Sequence, residues 1–262
     1  MVYDIRYTIY AIQPSRYNEG MYALIAGKQL RYDVIGNGEP ILLVHGWGGS
    51  SESLAPLGKL LSKKYKVILL DLPGFGKSDL PDFSWGVEEY TNVLVNLLES
   101  LKVKKVTYFG HSFGGGLGIY LAATKPDFVK SLILCNSSYK RTTKISVLAK
   151  IFHHFFPKNN PPFRRFLYSV LFRSSDISTF PQLEQNFRKI ITQDLTDLSM
   201  KIKCDTLLIW GEFDQITPAR WAKELHNNIS NSILKIIPHT RHSLPLRSPE
   251  VVASEMFAFL ED

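Results

Sequence analysis

Val106-Thr107-Tyr108-Phe109-Gly110-His111-Ser112-Phe113-Gly114-Gly115, running on through Gly116 to Thr124, decides how the chain is read. The first four residues are apolar, β-branched or aromatic, as a strand requires, and GLGIYLAAT (116–124) has helical character. Between them lies G-x-S-x-G, with Gly110 and Gly114 bracketing Ser112. A strand that turns into a helix this abruptly forces the central residue into a strained backbone conformation. Glycines on either side remove side chains that would clash there. The N-terminus of the following helix then faces any negative charge that develops at the turn. The pentapeptide alone would arise by chance in about a tenth of chains of this length, so its surroundings carry the weight.

Working outward, short aliphatic runs recur at Ile41–Val44, Val67–Leu70, Leu132–Leu134, Thr206–Trp210 and Ile233–Ile237. Runs that are apolar on both faces suit parallel strands covered by helices on each side. The intervening stretches supply those helices. From Val87, apolar residues fall at Tyr90, Leu94, Leu97, Leu98 and Leu101, the 3.6-residue period. Thr217-Pro218 and Ser248-Pro249 each read as a hydroxyl N-cap followed by proline at the first helical position. The pattern predicts an α/β protein with a mostly parallel, doubly wound sheet.

Two segments break the alternation. Residues 1–20 alternate Ile5, Tyr7, Ile9 and Ala11 over polar neighbours, which fits an N-terminal arm or an edge strand. Residues 139–198 have helical rather than strand character and are interrupted by Asn159-Asn160-Pro161-Pro162, so they read as a helical cap inserted into a core of 21–138 and 199–262.

The chain carries a formal charge of +7, which raises the question of nucleic acid. Ten Lys and Arg against four Asp and Glu fall between Tyr139 and Ser199, so a net +6 of that excess sits on the cap segment and the rest of the chain is balanced. That distribution is a local basic patch, and no nucleic-acid partner is expected. No apolar run approaches the roughly 18 residues of a membrane span. The N-terminus places Asp4 and Arg6 among its apolar residues and lacks the continuous core of a signal peptide, so a cytoplasmic location is expected. Cys135 and Cys204 read as small buried thiols, and neither HExxH nor CxxC is present, so no metal and no cofactor are expected.

Further stretches extend the pattern around Ser112: His45-Gly46-Trp47-Gly48-Gly49-Ser50, Asp71-Leu72-Pro73-Gly74-Phe75-Gly76-Lys77-Ser78, Trp210-Gly211-Glu212-Phe213-Asp214, and His242. Taken together and in this order, they resemble the compact, capped members of the α/β-hydrolase superfamily from Leu24 to the C-terminus. The resemblance implies an α/β-hydrolase fold with Ser112 as nucleophile, His242 as base and Asp214 as acid, since a serine hydroxyl needs a base to take its proton and a carboxylate to hold the imidazole in one tautomer. It assigns the oxyanion hole to the backbone N–H groups of Trp47 and Phe113. His239 competes with His242 but follows the strand too closely, and a solvent-facing imidazole is expected there. The family more often has glycine immediately before the histidine, where this chain has Arg241. His45 is expected to brace the glycine-rich loop, and Asp71–Ser78 to form a structural turn.

Serine at the elbow disfavours the reactions that rely on aspartate there. What stays open is ester cleavage by a carboxylesterase, C–C bond hydrolysis of meta-cleavage products, methyl-ester hydrolysis on an acidic acyl carrier protein drawn to the basic cap, and a non-catalytic receptor with this fold. A small-molecule ester is the leading substrate. Phe152, Phe155, Phe156, Phe163, Phe166, Leu167, Leu171 and Phe172 give the cap its apolar content, most of it expected in the cap's own packing.

Overall fold

The computed structural model describes residues 20–83, 85–140 and 180–261. All six strands predicted from aliphatic runs are present, and together with two more they build one eight-stranded sheet. In chain order the strands are β1 (Met21–Ile25), β2 (Lys28–Ile35), β3 (Pro40–Val44), β4 (Lys66–Leu70), β5 (Val106–His111), β6 (Val129–Cys135), β7 (Thr206–Gly211) and β8 (Ser232–Ile237). Their order across the sheet is β1-β2-β4-β3-β5-β6-β7-β8. β2 runs antiparallel to β4, and every pair from β4 to β8 is parallel.

The alternation of side chains along each strand divides the core in two. Leu42, Val44, Ile68 and Leu70 pack on one face with α2 (Val87–Ser100), α3 (Phe113–Thr124) and α6 (Ala219–Asn228). Ile41, Leu43, Val67 and Leu69 pack on the other with α1 (Ser51–Leu61), α7 (Leu244–Arg247) and α8 (Pro249–Glu261). Both faces of the central strands are therefore dry, which is why these strands read as unbroken apolar runs.

The first two strands form a hairpin that the sequence did not announce. Ala26 (φ 51°) and Gly27 (φ 75°) are both left-handed, and Ile25 pairs with Lys28 across them. This is the two-residue turn whose twist matches that of the flanking strands.

Of the segment 139–198, residues 141–179 lie outside the described residues, as do residues 1–19. The eight aromatic and aliphatic residues named above for the cap and the Asn159–Pro162 break lie there too. The described remainder is helical: a short turn at Pro181–Leu183, α4 (Glu184–Thr192) and α5 (Thr196–Ser199). It is fastened to the core just ahead of α2 and at its first turn. Asn186 Nδ2 donates to Asp82 O at 2.7 Å, Val87 N–H donates to Gln193 Oε1 at 2.9 Å, and Lys189 pairs with Glu89 at 2.9 Å.

Candidate active site

Ser112 sits between β5 and α3 with φ 50° and ψ −112°, a conformation that costs a non-glycine residue on the order of 1–3 kcal/mol. The surroundings enforce it. Ser112 N–H donates to Cys135 O at 3.1 Å, and Ser112 O accepts from Gly115, Gly116 and Ser138 N–H. Both flanking glycines are required by space: a Cβ on Gly110 would lie 2.3 Å from Gly114 O, and one on Gly114 would lie 2.4 Å from Val44 O. The sharp turn expected from the pentapeptide is thus present.

Ser112 Oγ lies 3.0 Å from His242 Nε2, and His242 Nδ1 lies 2.8 Å from Asp214 Oδ2. A carboxylate only accepts, so Nδ1 carries the ring proton and Nε2 is free to receive the serine proton. The structure brings Ser112, His242 and Asp214 into one line; His239 stays out of it. His239 is exposed, its N–H donates to Glu212 Oε2 at 3.0 Å, and its ring leans on Phe213. Arg241, where the family more often has glycine, has its side chain in solvent. The close approach is made instead by its backbone, since a Cβ on Gly211 would lie 2.8 Å from Arg241 O.

Asp214 is buried at the end of β7 and saturated with donors. Oδ1 accepts from Ile216 N–H (2.8 Å) and Thr217 N–H (2.9 Å). Oδ2 accepts from Thr217 Oγ1 (2.7 Å) and Asn136 Nδ2, besides facing His242. Burial pushes the Asp214 carboxyl up, but the hydrogen bond and charge of His242, with the bonds from Thr217 and Asn136, outweigh it and hold the group below its ordinary value. Sequence reading missed Asn136 and took Thr217 for an N-cap. The helix after it begins at Ala219 with Pro218 as its cap residue, because the Thr217 hydroxyl is turned inward to the carboxylate. The other predicted start holds: α8 opens on Pro249.

Two further histidines hold the site's backbone. His45 receives Leu72 N–H on Nε2 (3.0 Å) and therefore donates from Nδ1 to Gly46 O (2.7 Å), bracing the loop as expected. His111 Nε2 donates to the carbonyl of His242 at 2.9 Å. Burial lowers the pKa of His45 to about 4; burial, aided by the charge of His242, lowers that of His111 to about 3. Both rings are neutral near pH 7.

The loop braced by His45 passes directly over the serine. A Cβ on Gly46 would lie 3.0 Å from Ser112 Cβ, Gly49 N–H closes back on Gly46 O at 3.0 Å, and Gly48 has φ 74°. Trp47 in this loop packs edge-on against Phe75, Phe113 and Phe187, so α4 lies beside it. Asp71–Ser78 is a self-capped turn: Asp71 accepts from Ser51 N–H and Lys77 N–H, and Ser78 Oγ donates to Asp71 O. Cys135 and Cys204 are free thiols. Among the described residues no cluster of His, Cys, Asp and Glu could hold a metal ion, and no helix is long and apolar enough to cross a membrane.

A family profile described as alpha/beta hydrolase fold matches residues 39–174. The uncharacterized hydrolase YugF of Bacillus subtilis strain 168 is 28% identical over 246 residues, covering 85% of this chain and 90% of its own. The 2-hydroxy-6-oxo-6-(2'-aminophenyl)hexa-2,4-dienoic acid hydrolase of Metapseudomonas resinovorans is 24% identical, covering 89% of this chain and 88% of its own. The pimeloyl-[acyl-carrier protein] methyl ester esterase of Legionella pneumophila strain Corby is 26% identical, covering 88% and 99%.

Proposed function

This chain belongs to the alpha/beta hydrolase fold family, and from that premise we propose that it is a serine hydrolase cleaving carboxylic esters through an acyl-enzyme. In this reading His242 takes the proton of Ser112 Oγ as the oxygen attacks the ester carbonyl. Asp214 holds the imidazole in the Nδ1–H tautomer and stabilises the imidazolium, and His242 then returns the proton to the leaving alkoxide. Water deacylates the serine by the same route in reverse. The observation that carries the reading is the continuous line from Ser112 Oγ to Nε2 at 3.0 Å and from Nδ1 to Asp214 at 2.8 Å, built on a serine held at φ 50°.

The oxyanion donors are the backbone N–H groups of Trp47 and Phe113. Neither donates to a protein acceptor among the described residues, and Phe113 opens α3, whose N-terminal dipole favours negative charge. Removal of one such donor typically raises the barrier by about 2.7 to 4 kcal/mol.

The test has two stages. A fluorophosphonate is expected to label the wild-type protein and not Ser112→Ala, and a folded wild-type protein that resists labelling would sink the assignment. Nitrophenyl esters of increasing acyl length, assayed beside a ring-fission diketone, then choose the bond. The relative from Metapseudomonas resinovorans supports C–C bond hydrolysis as the second reading, and faster turnover of the diketone would install it in place of the ester. The methyl ester esterase supports an ester on an acidic carrier, with the basic segment 139–199 as attractor; a carrier-bound ester whose cleavage ignores ionic strength would remove it.

A further inference from the structure

The turn after β6, Cys135-Asn136-Ser137-Ser138, contributes no reacting group in the proposed chemistry, yet it is bonded to both ends of the Ser112–His242–Asp214 line. On the serine side, Cys135 O accepts from Ser112 N–H (3.1 Å) and Ser138 N–H donates to Ser112 O (2.9 Å). On the acid side, Asn136 Nδ2 donates to Asp214 Oδ2, and Asn136 O lies 3.1 Å from Thr217 Oγ1, whose one proton goes to Asp214. The Asn136 N–H itself is tied to Ile209 O on β7 at 3.1 Å, so the turn at the end of β6 bridges β5, which leads into Ser112, and β7, which leads into Asp214. We propose that Asn136 is a positioning residue of the hydrolase: its amide fixes the Asp214 carboxylate in place and in its ionised form, and through it the tautomer and distance of His242. This rests on the reading of Ser112 as nucleophile.

Three features single out an amide side chain. Asn136 is completely buried with φ 48°, and the left-handed region admits Asn, Asp and Gly with least strain. Glycine would satisfy the backbone and lose the donor. Aspartate would keep the shape and set a second carboxylate against Asp214 in a buried site, where like charges cannot both ionise. The amide orientation follows from its partners: the carboxylate of Asp214 only accepts, so Nδ2 faces it, and Oδ1 is left toward Cys135 Sγ at 3.5 Å. With Oδ1 of Asp214 held by two backbone N–H groups, and Oδ2 by Thr217 and Asn136, the direction left to the carboxylate is toward His242.

Asn136→Gly and Asn136→Asp test this, run with wild type and Ser112→Ala, because both residues tolerate the backbone. For Asn136→Gly the expectation is a nitrophenyl acetate kcat lower by roughly 10- to 100-fold, the loss of one hydrogen bond to a charged group, with KM unchanged. The acid limb of its pH profile moves to higher pH. For Asn136→Asp the pH optimum moves down, since the introduced carboxyl donates to Asp214 only while protonated. Carbon NMR of the Asp214 side-chain carboxyl reads the same effect without turnover, and its titration midpoint rises in Asn136→Gly. Folded variants with wild-type kcat, pH profile and Asp214 titration overturn the proposal. Should fluorophosphonate fail to label wild type, the hydrolase reading falls, and the Asp214 titration alone still decides whether Asn136 holds that carboxylate.

Discussion

Asp214 and His111 act on the same imidazole from opposite ends, one through the ring and one through the backbone. Asp214 faces Nδ1 at 2.8 Å and so selects the tautomer that leaves Nε2 open toward Ser112. Asp214→Asn keeps the shape and places an amide where the carboxylate was; the expected result is a kcat lower by about 10⁴-fold with little change in KM, as when the wrong tautomer is stabilised. A loss smaller than tenfold would remove Asp214 from the mechanism. His111 instead donates to the carbonyl of His242 at 2.9 Å and stays neutral, so it anchors the loop without placing a positive charge beside that ring. His111→Phe fills the space and lacks the donor. Its expected signature is a kcat reduced roughly tenfold, the scale of one hydrogen bond, partly restored in His111→Gln, which offers a side-chain N–H. Equal loss in both variants would mean that ring packing matters and the bond does not. Ser112, Asp214 and His242 were legible in the sequence because each stands in a stretch with a characteristic neighbourhood. Asn136 was not, since CNSSYK looks like any polar turn and its meaning comes from β7 lying beside β6. Thr217 was visible as a residue but assigned to the wrong partner, because its nearest neighbour in sequence is a helix and its nearest in space is a carboxylate.

At the level of elements, the parallel strands and their helices were readable because both faces of the sheet are covered, and each buried strand becomes a solid apolar run. The hairpin β1–β2 lacks that signature. It lies at the sheet edge, its burial is mixed, and its turn is Ala-Gly in place of the Asn-Gly or Asp-Gly that would have flagged it. At the other edge β8 alternates, with Ile233 46% exposed, so its aliphatic sequence overstated its burial. The contact between the start of α3 and the end of β3 matters most for the site. It brings Phe113 and the Gly46–Gly49 loop together over Ser112, and a Cβ on Gly114 would meet Val44 O at 2.4 Å and His45 O at 2.7 Å. Backbone atoms cannot swing aside as the end of a side chain can. Gly114→Ala is therefore expected to push α3 off β3, lowering stability by about 1–3 kcal/mol or more and abolishing fluorophosphonate labelling. Urea denaturation measures the first effect. A variant with the wild-type midpoint and normal labelling would show that the two elements need not touch.

For the molecule as a whole, the neutral histidines under the site set how it responds to acid. Burial is the main cause that puts His45 at about 4 and His111 at about 3, against about 6.5 in an unfolded chain. Below pH 6.5 the unfolded state therefore takes up protons that the folded state refuses. Their contribution to stability is complete above pH 6.5 and is lost as the pH falls toward 4, and onward to 3 for His111. With two such groups the slope is on the order of 2 to 3 kcal/mol per pH unit across that window. For a chain of this size that is a fall in Tm of roughly 5–10 °C per unit. Asp214 has the opposite chemistry and the same sign. Its carboxyl is held below the ordinary range, so its contribution disappears only below the unfolded value near 3.9, deepening the loss at the acid end. The formal charge of +7 also grows as surface carboxylates protonate, and that repulsion destabilises too, but it acts through solvent and is screened by salt. The burial term is not. Thermal unfolding at pH 7, 6 and 5, at low and at high salt, separates the two: the decline is expected to persist at high salt and to shrink by about half in His111→Gln, which keeps a donor to His242 but cannot titrate. A Tm that stays level from pH 7 to 5 would show that the buried rings gain protons without unfolding, and a decline that salt removes would show that surface charge governs the acid limit.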